Sequence, residues 1–478
     1  MFPYSRLRSC SPILAYLLLL SLPLPLMARS LALQPPGYIN LEFLLIGAFS
    51  VFLPRGIVFV LLLLESIADF ALAIEVTYGL SLKDQLSSLH SLYELPTSRI
   101  LEMSSVFALV IAVCAAIAIV RSHSEDRLWI TGGFWGLFAI VAFIAVLRGQ
   151  NSFMKRDTVY TYTHLARAPG YSLMKHESLF SRKVRASHHT DSGEMDSASA
   201  RAMAYLDRPD AVKSPDVVLI VVESWGLPLD AHLAQALNAP YDDLRVARKF
   251  DVSFGSVRFE GSTVSGEARE LCHSTMGLNI LVATPDLLEG CLPALFHARN
   301  YENLSVHGYF GGMFQREAWY PKIGFDRSWF LSDLDRLNLP DCNGVFPGTC
   351  DAAIAQWIGT SLLSVDTGKP RFIYWVTLNS HLAVPAHPDL PNDDLCSKLP
   401  SLQKSVPLCS WSRLLRNVHQ SVQRLALAPS ARPVVFVVVG DHVPPFADPQ
   451  LRQNFSATDV PYVLLTPINQ SHLKQIHP

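Results

Sequence analysis

Two apolar segments of this 478-residue chain each end in side chains that can bind a metal. The first, 217–222, is followed by Glu223, and the second, 434–439, is followed after a glycine by Asp441 and His442. Unbroken apolar runs of this kind are typical of buried parallel strands, and open α/β sheets bind ligands at the carboxyl ends of their strands. Since carboxylate and imidazole groups are ligands for divalent metals, the pattern predicts a metal site at these two strand ends.

A loop rich in glycine and hydroxyl residues, 260–267, lies between the two strands in the sequence and contains Thr263. Such a loop can present a hydroxyl at the start of a helix, where backbone N–H groups and the helix dipole favour an anion. A threonine hydroxyl is a poor nucleophile until a base or a metal activates it, and a metal at the predicted site can lower its pKa. A helix N-cap without chemistry is the alternative for this loop.

Further candidate site residues are His381, His307 and Arg316. His381 follows the apolar run 371–378 and can donate a proton to a leaving group or bind a phosphate oxygen. Arg316 has the geometry for bidentate phosphate contact. Alternatively, His381 and His307 are structural histidines hydrogen-bonded within loops, and Arg316 is a solitary surface arginine that binds no ligand.

Strands alternate with helices from residue 214 onward, which indicates an α/β fold with a mostly parallel central sheet and helices on both faces. We predict strands at 216–222, 304–307, 371–378, 433–439 and 461–466. The segment 214–478 is therefore the predicted catalytic domain. The polar segment 150–213, rich in Ser, His and Arg, is predicted to be a linker.

The N-terminal segment 1–149 is predicted to be a helical membrane domain, because its apolar stretches are about long enough to cross a bilayer. Pro54-Arg55 is predicted to form a tight turn between two of the spans. A cleaved signal peptide in place of the first span, and four spans in place of five, are the alternatives. The predicted spans, about five in number, are 11–28, 37–53, 56–78, 104–120 and 128–147.

The positive charges flanking these spans predict an orientation. Positive residues favour the cytoplasmic side, which places Arg6, Arg8, Arg55 and the loop 121–127 inside. The chain after residue 148 then lies outside the membrane.

The C-terminal cysteines fall in neighbouring pairs, which predicts local disulfides in an oxidising compartment. Buried free thiols are the alternative. Lys and Arg number 39 against 41 acidic residues, so there is no basic excess of the kind that indicates nucleic-acid binding. The paired cysteines are Cys272, Cys291, Cys342, Cys350, Cys396 and Cys409.

Together these segments resemble the sulfatase-like branch of the alkaline phosphatase superfamily. The likeness is greatest to membrane-anchored lipoteichoic acid synthases and phosphoethanolamine transferases, and it covers roughly residues 214–466. The segments that carry it, in the family's order, are Val221-Val222-Glu223-Ser224-Trp225-Gly226, Gly261-Ser262-Thr263, His307-Gly308, Asn379-Ser380-His381 and Gly440-Asp441-His442.

The resemblance implies a role for each matching residue in the metal centre. Glu223, Asp441 and His442 match the family's metal ligands, with zinc favoured over manganese. Thr263 matches the nucleophile, which also touches the metal and becomes covalently phospho-modified.

The resemblance also implies a substrate site. His381, His307 and Arg316 match positions that hold the phosphate and head group, with His381 also a catalytic candidate. Asn379 is a further expected substrate-binding residue and is expected to shape the His381 loop. Glu267 matches the synthases' pattern without a clear role.

The implied enzyme transfers phosphoethanolamine from a phospholipid, expected to be phosphatidylethanolamine, to a glycan or lipid acceptor. Its catalytic domain lies on the periplasmic side of a bacterial inner membrane. Phe314 stands where the synthases have Trp, and this departure together with the cysteine pairs favours phosphoethanolamine over phosphoglycerol. A true sulfatase needs Cys-x-Pro-x-Arg, whereas the segment starting at Cys291 ends in Leu295. A phosphoglycerol transferase, a sulfatase-like hydrolase and a degenerate protein that binds a glycan or a partner remain alternatives.

Overall fold

The chain forms two compact units, Met1–Asp191 and Ser192–Pro478, in the computed structural model. The structure describes residues 39–78, 82–87, 97–120, 134–141, 144, 166–168 and, between 196 and 468, all residues except 260–261, 275–279, 281–282, 284, 343–345, 383, 385–389, 391–393 and 447.

The first unit is mainly helical where it is described. The Asn40 side chain caps α1 by accepting from the backbone N–H groups of Glu42 and Phe43, at 2.9 and 3.1 Å. The break predicted at Pro54-Arg55 is present, because α1 and a short 3₁₀ turn end before Pro54 and α2 begins at Arg55. The elements are α1 (Leu41–Phe49), α2 (Arg55–Tyr78), α3 (Leu82–Ser87), α4 (Thr97–Val120) and the paired parallel strands β1 (Ile39–Asn40) and β2 (Ala166–Arg167).

Within the described residues, one helical stretch, Arg55–Ile74, is long and apolar enough to cross a membrane, and Met103–Ala116 is a shorter apolar helix. The predicted span 11–28 lies outside the described residues, as does most of 128–147, of which residues 134–141 are helical. The number of spans therefore stays a prediction.

The second unit is an α/β domain built on one large sheet. Its strands are β3 (Asp216–Val222), β4 (Phe250–Arg258), β5 (Glu302–His307), β6 (Arg327–Trp329), β7 (Asp341–Cys342), β8 (Gly348–Thr349), β9 (Arg371–Val376), β10 (Val434–Gly440) and β11 (Asp459–Pro467). Its helices are α5 (Ala198–Leu206), α6 (Ala231–Asn238), α7 (Leu244–Ala247), α8 (Thr263–Cys272), α9 (Pro285–Leu288), α10 (Leu292–Ala298), α11 (Arg316–Trp319), α12 (Leu331–Arg336), α13 (Asp351–Trp357), α14 (Leu395–Lys398), α15 (Pro400–Gln403), α16 (Val406–Leu427) and α17 (Pro449–Arg452).

The seven strands of the large sheet lie in the order β4-β11-β10-β3-β9-β5-β6. Pairing is parallel from β10 through β6 and antiparallel for β11 and β4, so the sheet is mostly parallel as predicted. The five predicted strands are present, with ends shifted by a few residues. The strands β4 and β6 were not predicted.

The centre of the sheet is apolar on both faces. Every residue of β3, β9 and β10 is buried, which is why these strands are continuous runs of Val, Ile, Leu and aromatic residues. The long helix α16 belongs to the same unit and buries one apolar face, which includes Trp411 and Leu415. The result is a rigid sheet whose carboxyl-terminal edge can hold side chains in fixed positions.

All three predicted local disulfides are present in this unit. Cys272 is the last residue of α8, and Cys350 immediately precedes α13. The bonds are Cys272–Cys291, Cys342–Cys350 and Cys396–Cys409.

Candidate active site

Four neighbouring parallel strands bring the predicted site residues to one edge of the sheet. In the register of the sheet Val222 lies opposite Gly440, so the residues that follow β3 and β10 emerge side by side. Val376 at the end of β9 lies opposite His307 at the end of β5. The carboxyl ends of these strands therefore form a single site.

Glu223 is fixed by the loop that follows β9. Its backbone N–H donates to Thr377 Oγ1 at 2.9 Å, and its carbonyl accepts from Ser380 Oγ at 2.6 Å. The next residue, Ser224, has a φ of 57°, a left-handed conformation that non-glycine residues adopt mainly where the surrounding structure imposes it. This turn lets Ser224 Oγ donate to Glu223 Oε1 at 2.9 Å, which orients the carboxylate.

Asp441 is held so that one carboxylate oxygen remains available. Its Oδ1 accepts from the backbone N–H groups of Ser224 and His442, at 2.8 and 2.6 Å. Its Oδ2 is buried and has no hydrogen-bond partner among the described residues. A buried oxygen without a donor is energetically costly, so this atom needs a partner that the described residues do not supply.

His442 presents one ring nitrogen to both carboxylates. Its Nδ1 donates to the Val443 carbonyl at 2.9 Å, and because a carbonyl can only accept, this bond fixes the proton on Nδ1. The other nitrogen, Nε2, lies 3.4 Å from Glu223 Oε1 and 3.4 Å from Asp441 Oδ2. A histidine whose other N–H is bound to a carbonyl is the usual arrangement for a metal ligand.

The charges at this edge fit a divalent cation. The potential ligand atoms of Glu223, Asp441 and His442 all lie within 4.8 Å of one another, and all three residues are buried. Burial and the neighbouring Glu223 carboxylate raise the pKa of Asp441 to about 7. Burial opposes protonation of His442, but Asp441 and Glu223 raise its pKa to about 9. The Glu223 carboxylate contributes to both shifts, and a divalent metal would neutralise the negative charge gathered here.

Thr263 is the first residue of α8 and its hydroxyl faces this cluster. Its Oγ1 donates to Glu223 Oε2 at 3.0 Å and lies 3.4 Å from His442 Nε2. The start of a helix favours an anion, so a phosphoryl group attached here would be stabilised. The first two residues of the predicted loop, Glu260 and Gly261, lie outside the described residues.

Gly266 allows α8 to approach the metal-binding residues closely. A Cβ atom at this position would lie 2.9 Å from Asp441 Cα and 2.9 Å from Asp441 Cβ. Any larger residue would therefore move Asp441 or the helix that carries Thr263.

His381 and His307 lie beside this cluster. His381 Nε2 is 3.9 Å from Glu223 Oε1, and its Nδ1 is hydrogen-bonded to the Leu382 carbonyl. His307 Nδ1 donates to the Val376 carbonyl at 3.1 Å. Burial is the main cause that lowers the pKa of both histidines, that of His307 to about 3. Both rings are therefore uncharged at neutral pH, with Nε2 as a hydrogen-bond acceptor.

Arg316 is anchored to the same helix as Thr263. Its Nε and Nη2 donate to Glu267 Oε1 at 2.9 and 2.6 Å, and Tyr320 donates to Glu267 Oε2 at 2.6 Å. The ion pair is buried, with side-chain exposures of 2% and 0%. The structure thus shows what Glu267 does: it holds Arg316 at a fixed distance from α8.

Asn379 lies in the loop after β9 and bonds within the protein. Its Oδ1 accepts from the Asp351 backbone N–H at 2.7 Å. The Asp351 carboxylate in turn accepts from the N–H groups of Leu378 and Asn379, at 3.0 and 2.7 Å. This reciprocal pair holds the loop that carries His381. Asp351 was not predicted from the sequence, in which it is distinguished only by following Cys350.

Comparison with known proteins identifies related domains. The family described as Sulfatase matches residues 215–478. No curated protein sequence matches significantly.

Three solved structures illustrate the similarity to known folds. Lipoteichoic acid synthase LtaP from Listeria monocytogenes is 13% identical, with 53% of this chain and 65% of that chain covered and a TM-score of 0.37. Phosphoglycerol transferase GacH from Streptococcus pyogenes is 15% identical, with coverages of 56% and 73% and a TM-score of 0.40. The C-terminal periplasmic domain of EcEptC from Escherichia coli is 11% identical, with coverages of 56% and 77% and a TM-score of 0.34. This chain therefore spans less than two thirds of the LtaP chain.

Proposed function

This chain belongs to the sulfatase family, and from that membership and the geometry of the site we propose that it is a metal-dependent phosphotransferase. The observation that carries the proposal is the Thr263 hydroxyl at the start of α8, 3.0 Å from Glu223 and beside Asp441 and His442. In this proposal Glu223, Asp441, His442 and Thr263 hold a divalent metal, zinc in preference to manganese. When bound, the metal supplies Lewis-acid activation and lowers the pKa of the hydroxyl.

The chain's own residues carry out the remaining steps of the first half-reaction. Glu223 Oε2 already accepts the hydrogen of Thr263 Oγ1, so it favours departure of that proton. The Oγ1–P bond forms while the bond from phosphorus to the diacylglycerol oxygen breaks. Diacylglycerol takes up one proton as it leaves, which balances the proton lost by the threonine. Arg316 and His307 bind the phosphate and the head group.

The second half-reaction regenerates the threonine. An acceptor hydroxyl attacks phosphorus, the Oγ1–P bond breaks, and Oγ1 of Thr263 is protonated again. His381 can accept the proton of the acceptor hydroxyl at Nε2, because its Nδ1 hydrogen is bound to the Leu382 carbonyl. Asn379 holds the His381 loop through its bond with the Asp351 N–H and is proposed to lie at the substrate site.

We propose phosphatidylethanolamine as the donor and a glycan or lipid as the acceptor. The three disulfides support a domain that folds in an oxidising compartment, and they favour phosphoethanolamine over phosphoglycerol on the family resemblance. The apolar helix Arg55–Ile74 supports attachment to the membrane that contains the donor. We propose a membrane domain at 1–149, a linker at 150–213 and a periplasmic catalytic domain at 214–478. The end of the proposed linker includes α5 (Ala198–Leu206), which packs within the α/β unit.

Formylglycine chemistry of the sulfatase type is disfavoured by the structure. Cys291, the cysteine whose surroundings come nearest to the sulfatase motif, is bonded to Cys272. Its thiol is therefore not available for conversion, and the hydroxyl beside the metal ligands belongs to Thr263.

The test uses full-length protein in detergent micelles with fluorescent phosphatidylethanolamine and, in parallel, phosphatidylglycerol. We expect release of diacylglycerol from the ethanolamine lipid, loss of release in Thr263→Ala and partial retention in Thr263→Ser. Release that persists in Thr263→Ala would exclude this residue as the nucleophile. Faster release from phosphatidylglycerol would support the phosphoglycerol alternative.

A further inference from the structure

Arg269 lies on α8, the helix of Thr263, and its guanidinium is buried against the end of β10. Its Nη2 donates to the Gly440 carbonyl at 2.7 Å, and its Nη1 donates to the Asp441 carbonyl at 3.2 Å. Only 1% of the side chain is exposed. One planar group therefore bridges the nucleophile helix and the backbone of a predicted metal ligand.

Glu270 holds this guanidinium in place from the other side. Its Oε1 accepts from Arg269 Nε at 2.7 Å, and its Oε2 accepts from the Ser199 backbone N–H at 2.9 Å. Ser199 Oγ also donates to the Glu270 carbonyl at 2.7 Å. The first turn of α5 thus closes the buried pair, and the Glu270 carboxylate offsets the charge of Arg269 near the metal site.

The backbone of Asp441 is held on both sides by these contacts. Its N–H donates to the Val222 carbonyl at 3.2 Å, which continues the pairing of β10 with β3. Its carbonyl lies beyond the last residue of β10 and accepts from Arg269 instead. With Oδ1 also fixed by two backbone N–H groups, the direction of Oδ2 depends on the position of this turn.

We propose that Arg269 is a positioning residue that keeps Asp441 Oδ2 directed at the metal, with Glu270 and the first turn of α5 orienting its guanidinium. The inference rests on the proposed function, since it requires a metal between Glu223, Asp441 and His442. Residues that orient metal ligands typically contribute about 10- to 100-fold to metal affinity.

The experiment measures the affinity of full-length protein for Zn²⁺ and Mn²⁺ by competition with a chromophoric chelator. Arg269→Lys keeps the charge, but a single ammonium cannot reproduce the planar fork that contacts two carbonyls and Glu270. We expect Arg269→Lys to weaken Zn²⁺ binding about tenfold or more. Glu270→Gln, which keeps the shape but removes the charge, should weaken binding by a smaller factor.

The control is Arg371→Lys. Arg371 is also a buried arginine, paired with Glu302 at 3.0 Å and donating to the carbonyls of Leu362 and Val365. It begins β9, at the opposite end of the strand from the metal site. We expect this variant to lower the Tm while leaving metal affinity unchanged.

Each outcome decides the inference. If the Tm of Arg269→Lys is lowered as in Arg371→Lys but its affinity for Zn²⁺ equals that of wild type, Arg269 has only a structural role and the inference is wrong. If Arg269→Lys does not fold, wild-type affinity in Glu270→Gln overturns the inference. If the wild-type protein binds neither metal, the proposed metal site fails first and the inference fails with it.

Discussion

Replacing Gly266 with alanine adds one methyl group at the point where α8 meets Asp441. The added Cβ would lie 2.9 Å from Asp441 Cα, whereas ordinary contacts begin at 3.4 Å. Helix α8 and the turn that contains Asp441 must therefore move apart by about 0.5 Å. Since a misplacement of about 1 Å can reduce a reaction rate about 100-fold, we expect about a tenfold loss of lipid turnover in Gly266→Ala, and a similar loss of metal affinity.

The effect of Gly266→Ala on stability should be modest enough for the protein to remain folded. Alanine is favoured over glycine within a helix by about 1 kcal/mol, and overpacking costs about 1–3 kcal/mol. The two terms leave a net destabilisation of about 0–2 kcal/mol. Activity and metal affinity should therefore fall in a protein that remains folded.

The assay compares Gly266→Ala with wild type for diacylglycerol release, Zn²⁺ affinity and urea-induced unfolding. Gly290→Ala is the matched control, because a Cβ at Gly290 would have no heavy atom within 4 Å. We expect the control to behave as wild type. Wild-type turnover and metal affinity in Gly266→Ala would show that close contact between α8 and Asp441 is not needed for the site.

Three further predictions concern metal, the buried ion pair and pH. Chelation of divalent metal should abolish diacylglycerol release, and added Zn²⁺ should restore it; activity that persists in excess chelator would contradict the metal site. Glu267→Ala leaves Arg316 buried without its partner and should reduce the free energy of unfolding by about 3–5 kcal/mol in urea titration, whereas a loss below about 1 kcal/mol would contradict the pairing. Burial lowers the pKa of His419 to about 3, so its contribution to stability is complete above about pH 6.5 and lost as pH falls toward 3. The free energy of unfolding, measured by thermal unfolding between pH 6.5 and 4.5, should therefore change less steeply with pH in His419→Gln than in wild type, by up to about 1.4 kcal/mol per pH unit. Equal slopes in the two proteins would contradict a lowered pKa of His419.

The strands that form the site were predictable because they are buried on both faces. The strands β3 and β10 are continuous apolar runs, and their ends identify the residues that follow. The strand β4 was missed because it lies at the edge of the sheet and is largely exposed, so its sequence mixes Ser and Gly with apolar residues. The strand β6 is a three-residue segment, too short for a pattern.

The contacts that orient the site were not predictable from spacing. The sequence places Glu267 on the same helix as Thr263, but its partner Arg316 lies 49 residues away in the chain, at the start of α11. The contacts of Arg269 with the carbonyls of Gly440 and Asp441 are likewise made between segments far apart in the chain. By contrast, the disulfides join cysteines close in sequence, which is why local disulfides were predictable from the spacing of these cysteines.

The central claim is a covalent phospho-intermediate on Thr263, and peptide mass spectrometry tests it most directly. Full-length protein would be mixed with phosphatidylethanolamine, quenched in acid during turnover and digested. We predict a phosphoethanolamine adduct on the peptide that contains Thr263, localised to that residue by fragmentation and absent in Thr263→Ala. Diacylglycerol release with an unmodified Thr263, or with the adduct on another residue, would contradict the account.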